Sequence, residues 1–181
     1  MKDCAAEITF VSERPTESAV LHRVEIRGLI LDPVSNTPIV ILKRPDQNLF
    51  LPIWIGVFEA NAIALKLEGV QTPRPMTHDL LRAVIEALGA RVEEVTVHSL
   101  VENTFHATVV VVTGSGERLE LDARPSDAIA LALRCKAGVR VAEAVFRDAH
   151  ALDFREGEDH EERLRAWLES LSPEQLGKYK M

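Results

Sequence analysis

The tetrapeptide Ala-Ile-Ala-Leu occurs twice in this chain, at residues 62–65 and 128–131, each time behind a polar residue, Asn61 or Asp127. Four letters can coincide, but what precedes them recurs as well. Before the first copy stands the apolar run LFLPIWI (residues 49–55), and before the second the alternating run ERLELDA (117–123). Both read as strands, the first from its aromatic and β-branched content, the second because Leu119 and Leu121 alternate with Glu120 and Asp122. One step further back, PIVILKR (38–44) with the turn PDQN answers TFHATVVVVT (104–113) with the turn GSGE. Further still, HRVEIRGLIL (22–31) answers VEEVTVHSLV (92–101). The order strand, strand, strand, helix thus occurs twice, joined by Gly-, Pro- and Asn-containing turns that favour antiparallel hairpins.

This repeat predicts an α+β fold built from two β-β-β-α units with pseudo-twofold symmetry, residues 22–69 superposing on 92–135. At a constant offset of 66 positions, Asn61 becomes the counterpart of Asp127. Between the units, PRPMTHDLLRAVIEALGAR (73–91) predicts an inter-repeat helix. Thr77 suits the N-cap, Asp79 the positive end of the helix dipole and Gly89 the position after the C-cap. Met76 and Leu81 have the spacing of a hydrophobic staple. Leu81, Val84, Ile85 and Leu88 form a stripe expected to be buried, leaving Arg82 and Glu86 outward. After the second unit a short strand is expected around 139–141. Leu164, Trp167, Leu168 and Leu171 then fall at i, i+3, i+4 and i+7 of a C-terminal amphipathic helix. The organisation expected is a flexible arm (1–19), a folded domain (20–147) and a helical tail (148–181).

The net charge is −7, unfavourable for nucleic acid if it were evenly spread. It is concentrated at the ends. Residues 1–19 hold two basic and four acidic residues and 148–181 five and nine, which leaves the middle at −1. A neutral body permits a local basic groove without announcing one. Two distant cysteines, Cys4 and Cys135, make neither a disulfide framework nor a zinc cluster and fit a reducing compartment. No apolar run approaches a membrane span and no secretory segment stands out, so no membrane partner and a cytoplasmic location are expected. Runs such as ATVVVV and LPIWIG, with the amphipathic tail, offer more apolar surface than 181 residues easily hide, and a homodimer is expected.

Three segments in order, LPIWIGVFEANAIALKLEGV, PRPMTHDLL and ARPSDAIALALR, resemble the bifunctional nuclease domain family. The resemblance runs from about His22 to Arg147. It implies a compact α+β domain and, from plant members credited with cutting both DNA and RNA, a nuclease that hydrolyses phosphodiesters, with nucleic acid as partner.

Phosphodiester hydrolysis needs cations to meet the phosphate, together with carboxylates or histidines that hold a divalent metal such as Mg²⁺ or Mn²⁺ or that move protons. In and beside the three segments the candidate catalytic residues are Glu59, His78, Asp79 and Asp127. The candidate substrate-binding residues are Arg74, Arg82, Arg124 and Asn61. Were the two repeat helices to meet at their starts, Glu59, Asn61, Arg124 and Asp127 could line one pocket. Arg74 and His78, flanking a Pro-Arg-Pro turn, suit a phosphate beside a helix N-terminus. Each residue also has a structural reading. Glu59, Ser126 and Asp127 are good first-turn residues, Arg124 can simply pair with Asp127 or Glu59, and His78 at a helix start is expected to be exposed. No HEXXH, D-x-D or Walker pattern is present, and GSGE reads as a hairpin turn. A non-catalytic binding or regulatory module, assembled as an oligomer, is the alternative.

Overall fold

A computed structural model describes residues 20–32, 35–47, 49–149 and 152–153. Three strands open the fold, β1 (Leu21–Leu31), β2 (Pro38–Arg44) and β3 (Leu49–Trp54), followed by helix α1 (Val57–Leu67) and helix α2 (Thr77–Ala87). Three more strands follow, β4 (Arg91–Val101), β5 (Thr104–Val112) and β6 (Arg118–Ala123), then helix α3 (Pro125–Cys135). Strand β7 (Gly138–Ala142), helix α4 (Glu143–Asp148) and the stub β8 (Leu152–Asp153) complete the described chain. The fold is α+β, and the order β-β-β-α occurs twice, as the repeat predicts. Every hairpin within a unit is antiparallel. The β4–β5 turn holds Glu102 and Asn103 at φ 49° and 62°, the pair of positive φ values that lets a two-residue turn follow the strand twist.

The sheet runs β6-β5-β4-β7-β1-β2-β3-β8. Each meander therefore turns its first strand inward, and β7 stands between them, antiparallel to β1 and parallel to β4. Helix α1 lies on β1 and β2, α3 lies on β4, β5 and β7, and the two helices pack on each other. One core joins Val40, Leu42, Leu51 and Ile53 to Val95, Val97, Ala107 and Val109, with Ile63 of α1 and Ile129 of α3 inserted from the helices. Ile63 and Ile129 are fully enclosed. That accounts for the repeated apolar letters at the centre of each helix.

Three expectations need correction. Helix α1 begins 68 positions before α3, and β3 begins 69 before β6, so the gapless offset of 66 aligns letters without aligning helix starts. Asn61 is the fifth residue of α1 whereas Asp127 is the third of α3. The residue that shares Asp127's place is Glu59. Second, α2 does form, and it closes as expected, with Gly89 at φ 72° and the Ala90 and Gly89 N–H groups returning to Ile85 and Glu86. Its N-cap, however, is Met76 instead of Thr77, and the Met76 N–H donates to Asp79 Oδ2 at 3.0 Å. Third, the stripe of α2 is not buried. Leu80, Leu81, Val84 and Leu88 are exposed, Leu88 to 78%, and only Ile85 packs against the core. The helix is held instead through its polar first turn. The expected N-terminal arm and C-terminal amphipathic helix lie outside the described residues.

Candidate functional site

The first turns of α1, α2 and α3 are joined through two residues of α3, Arg124 at its N-cap and Asp127 in its first turn. Pro125 at the first helical position fixes φ for helix entry and pushes Arg124 into extended backbone, at φ −68° and ψ 141°. The guanidinium thus leaves the helix axis and reaches across to α1. Its Nε donates to Asp127 Oδ2 at 2.8 Å and its Nη2 to Glu59 Oε1 at 2.8 Å. Asp127 Oδ1 lies 3.1 Å from His78 Nε2 on α2. Glu59, Arg124, Asp127 and His78 therefore form one chain of hydrogen bonds from α1 through α3 to α2. Glu59 and Asp127 hold the same third position of their helices, where a carboxylate also meets the positive end of the helix dipole.

The carboxylate of Asp127 only accepts, so His78 Nε2 is the donor of this bond. His78 is buried, contrary to its expected exposure at a helix start; its bond to Asp127 is what carries it inward. The hydrogen bond to Asp127 is the largest influence on the Arg124 guanidinium; burial opposes it, but with the Asp127 charge and the Glu59 bond added the group is held above its ordinary value. Arg124 itself is exposed, so each of these ion pairs contributes at most about 1 kcal/mol to stability. Beside Arg124 opens an apolar slot of about 100 Å³ lined by Trp54, Phe105 and Pro125.

Asp79 is drawn elsewhere. Its Oδ1 accepts from Arg134 Nε at 2.7 Å while Oδ2 takes the Met76 N–H. Arg134 is only 3% exposed and also donates to the Ala130 carbonyl. This pair borders a second cleft of about 360 Å³, whose lining includes Lys66 and Arg74. Arg82 pairs with Glu86 one turn on along the outer face of α2, and Asn61 is exposed on α1. Of the eight candidates, four are joined in one network, Asp79 and Arg74 border the neighbouring cleft, and Arg82 and Asn61 contact neither. Sequence reading missed Lys66 and Arg134. The signal for Arg134 was available: a cation on the apolar face of SDAIALALR must find a buried partner.

Among the described residues no three His, Cys, Asp or Glu side chains are grouped to hold a metal ion. Both oxygens of Asp127 are already engaged by Arg124 and His78. The described residues do not fit a resident divalent metal. Cys135 is half-buried, and burial pushes its thiol up from the usual value, so it offers no thiolate.

Residues 40–153 match the bifunctional nuclease domain. An uncharacterised protein of Mycobacterium tuberculosis is 38% identical over 163 residues, covering 85% of this chain and 97% of its own length. Bifunctional nuclease 1 of Oryza sativa subsp. indica is 26% identical over 164 residues, covering 76% of this chain and 50% of its own. Bifunctional nuclease 1 of Arabidopsis thaliana is 30% identical over 107 residues, covering 58% of this chain and 33% of its own. The chain belongs to the bifunctional nuclease domain family. It spans half or less of these plant relatives, and no helix among its described residues is long and apolar enough to cross a membrane.

Proposed function

We propose that this protein hydrolyses phosphodiester bonds of DNA and RNA at the Glu59–Arg124–Asp127–His78 network. The observation that carries the reading is convergence. Four candidates drawn from three separate sequence segments meet in one hydrogen-bonded chain at three helix N-termini, an arrangement suited to an anion. Arg124 meets the phosphate oxygens, oriented by Glu59 and Asp127. Asp127 holds the His78 tautomer, and His78 Nδ1 accepts the proton of the attacking water while the phosphorus–oxygen bond to the leaving group breaks. Asp79 serves by anchoring α2. The related positions of Glu59 and Asp127 support reading the two β-β-β-α units as a pseudo-twofold pair with this site near their axis.

The test is Asp127→Asn, which keeps an acceptor at the helix start but removes the charge. Purified protein is assayed on single- and double-stranded DNA and RNA, with Mg²⁺ or Mn²⁺ and without. Cleavage is expected to fall at least tenfold, roughly 1.4 kcal/mol of barrier, at an unchanged folding midpoint. Unchanged cleavage, or wild-type cleavage no greater than that of a mock preparation, removes the catalytic reading. That result leaves the second reading, a non-catalytic binding module, which one observation favours: both oxygens of Asp127 are already satisfied within the fold.

The assembly proposed is a cytoplasmic homodimer. The four apolar side chains exposed on α2 are the surface proposed for a second copy to cover. Light scattering at tens of micromolar should give twice the monomer mass, and Leu81→Lys with Leu88→Lys should return it to the monomer. A wild-type monomer mass at that concentration refutes the dimer.

A further inference from the structure

The cleft between the end of α1 and the start of α2 takes no part in the hydrolytic network, yet its lining is built for an anion. Its ionisable side chains are Lys66, Arg74, Arg134 and Asp79. Both Asp79 oxygens are committed, one to Arg134 and one to the Met76 N–H. Burial opposes ionisation of Asp79, but the Met76 N–H and the Arg134 guanidinium outweigh it and hold the carboxyl below its usual range. The Asp79–Arg134 pair is thereby self-neutralised, and the cleft keeps the charges of Lys66 and Arg74, in a protein whose net charge is −7. Arg74 stands between Pro73 and Pro75 on a loop fastened by the Thr72 hydroxyl, which donates to the Arg74 carbonyl at 2.7 Å. The flanking prolines restrict its backbone, so less freedom is lost when it meets a ligand. The rest of the lining includes Leu65, Val70 and Met76 as well as the two prolines.

We infer that this cleft binds a phosphate ester, with Lys66 and Arg74 on the phosphate and the apolar wall against the organic body. A volume of about 360 Å³ lies at the lower end of small-molecule sites, and a mostly apolar wall with a few convergent charges is their usual make-up. Inorganic phosphate would fill the charged end alone. The inference goes beyond the hydrolytic reading and uses none of the four residues of the Glu59–Arg124–Asp127–His78 network.

The experiment is an NMR titration of the full chain with AMP, ribose 5-phosphate, inorganic phosphate and adenosine, following the backbone amides of residues 66–72, Arg74 and Met76. AMP and ribose 5-phosphate should shift these amides, inorganic phosphate should bind at least tenfold more weakly, and adenosine should leave them unmoved. The double variant Lys66→Gln, Arg74→Gln changes two exposed side chains, so its melting temperature should match wild type while its affinity for AMP falls at least tenfold. Asp127→Asn should bind AMP as wild type does, whatever it does to cleavage, so the two readings fail separately. The inference is overturned if neither ester shifts these amides, if inorganic phosphate or adenosine binds as well as AMP, or if the double variant binds AMP undiminished.

Discussion

Ile129→Asp should leave no cooperatively folded protein. Ile129 is fully enclosed at the centre of α3, in the core that joins both halves of the sheet. A carboxylate there has no cation to meet, and a buried unpaired charge costs several kcal/mol on top of the lost packing. A domain of this size has in total about 5–15 kcal/mol to lose. Ile129→Val removes a single methylene and should cost only about 1 kcal/mol. Urea unfolding followed by circular dichroism measures both. An aspartate variant with a wild-type midpoint would mean that α3 does not sit in the core.

The second large effect is expected at Asp79. Asp79→Asn leaves the Arg134 guanidinium buried without its carboxylate and weakens the cap on α2. Breaking a fully buried pair costs about 3–5 kcal/mol. Asp79 keeps about a third of its side chain in water, so a loss of about 2 kcal/mol is the discounted figure. The pH dependence carries a sign. The carboxyl is held below its usual value in the folded protein, so its stabilisation is complete above the unfolded value of about 3.9 and is lost as pH falls through the lower folded one. The wild-type melting temperature should therefore drop below about pH 4, with part of that drop absent in Asp79→Asn. Parallel acid limbs for the two proteins would show that the carboxylate contributes nothing through Arg134.

The strands, their hairpins and the two enclosed isoleucines were legible in the sequence because period-two patterning, turn residues and apolar helix centres are local signals. Two features were not. The amphipathic pattern of α2 identifies a helix with an apolar side, but periodicity cannot say whether anything in the same chain covers that side. Here the first turn, through His78 and Asp79, docks the helix by polar bonds and leaves Leu81, Val84 and Leu88 outside. The pairing of Glu59 with Asp127 was hidden for a different reason. The shared AIAL letters are the best sequence match, yet α1 runs two residues further ahead of them than α3 does. Counting from the helix starts, Gly56 against Arg124, gives the pairing that the guanidinium makes in space. The convergence at Arg124 was foreseeable as far as Pro125 set the direction of the residue before it. Arg134 escaped because a lone cation in an apolar helix names the need for a partner without naming the partner.

Strand β7 has a consequence for how the molecule comes into being. In the sheet, β1 and β4 are not paired with each other; each is hydrogen-bonded to β7, which is formed by residues 138–142. While the chain is being made, both three-stranded meanders are complete well before that segment leaves the ribosome. Until it does, two long strands of 11 residues each present open edges, the kind of surface on which nascent chains pair with the wrong neighbour. The seam is closed by a late, five-residue insertion whose partners lie far apart in sequence, a topology that folds slowly. Closure of the seam thus depends on one short segment that follows both meanders in the chain and takes opposite orientations toward its two neighbours.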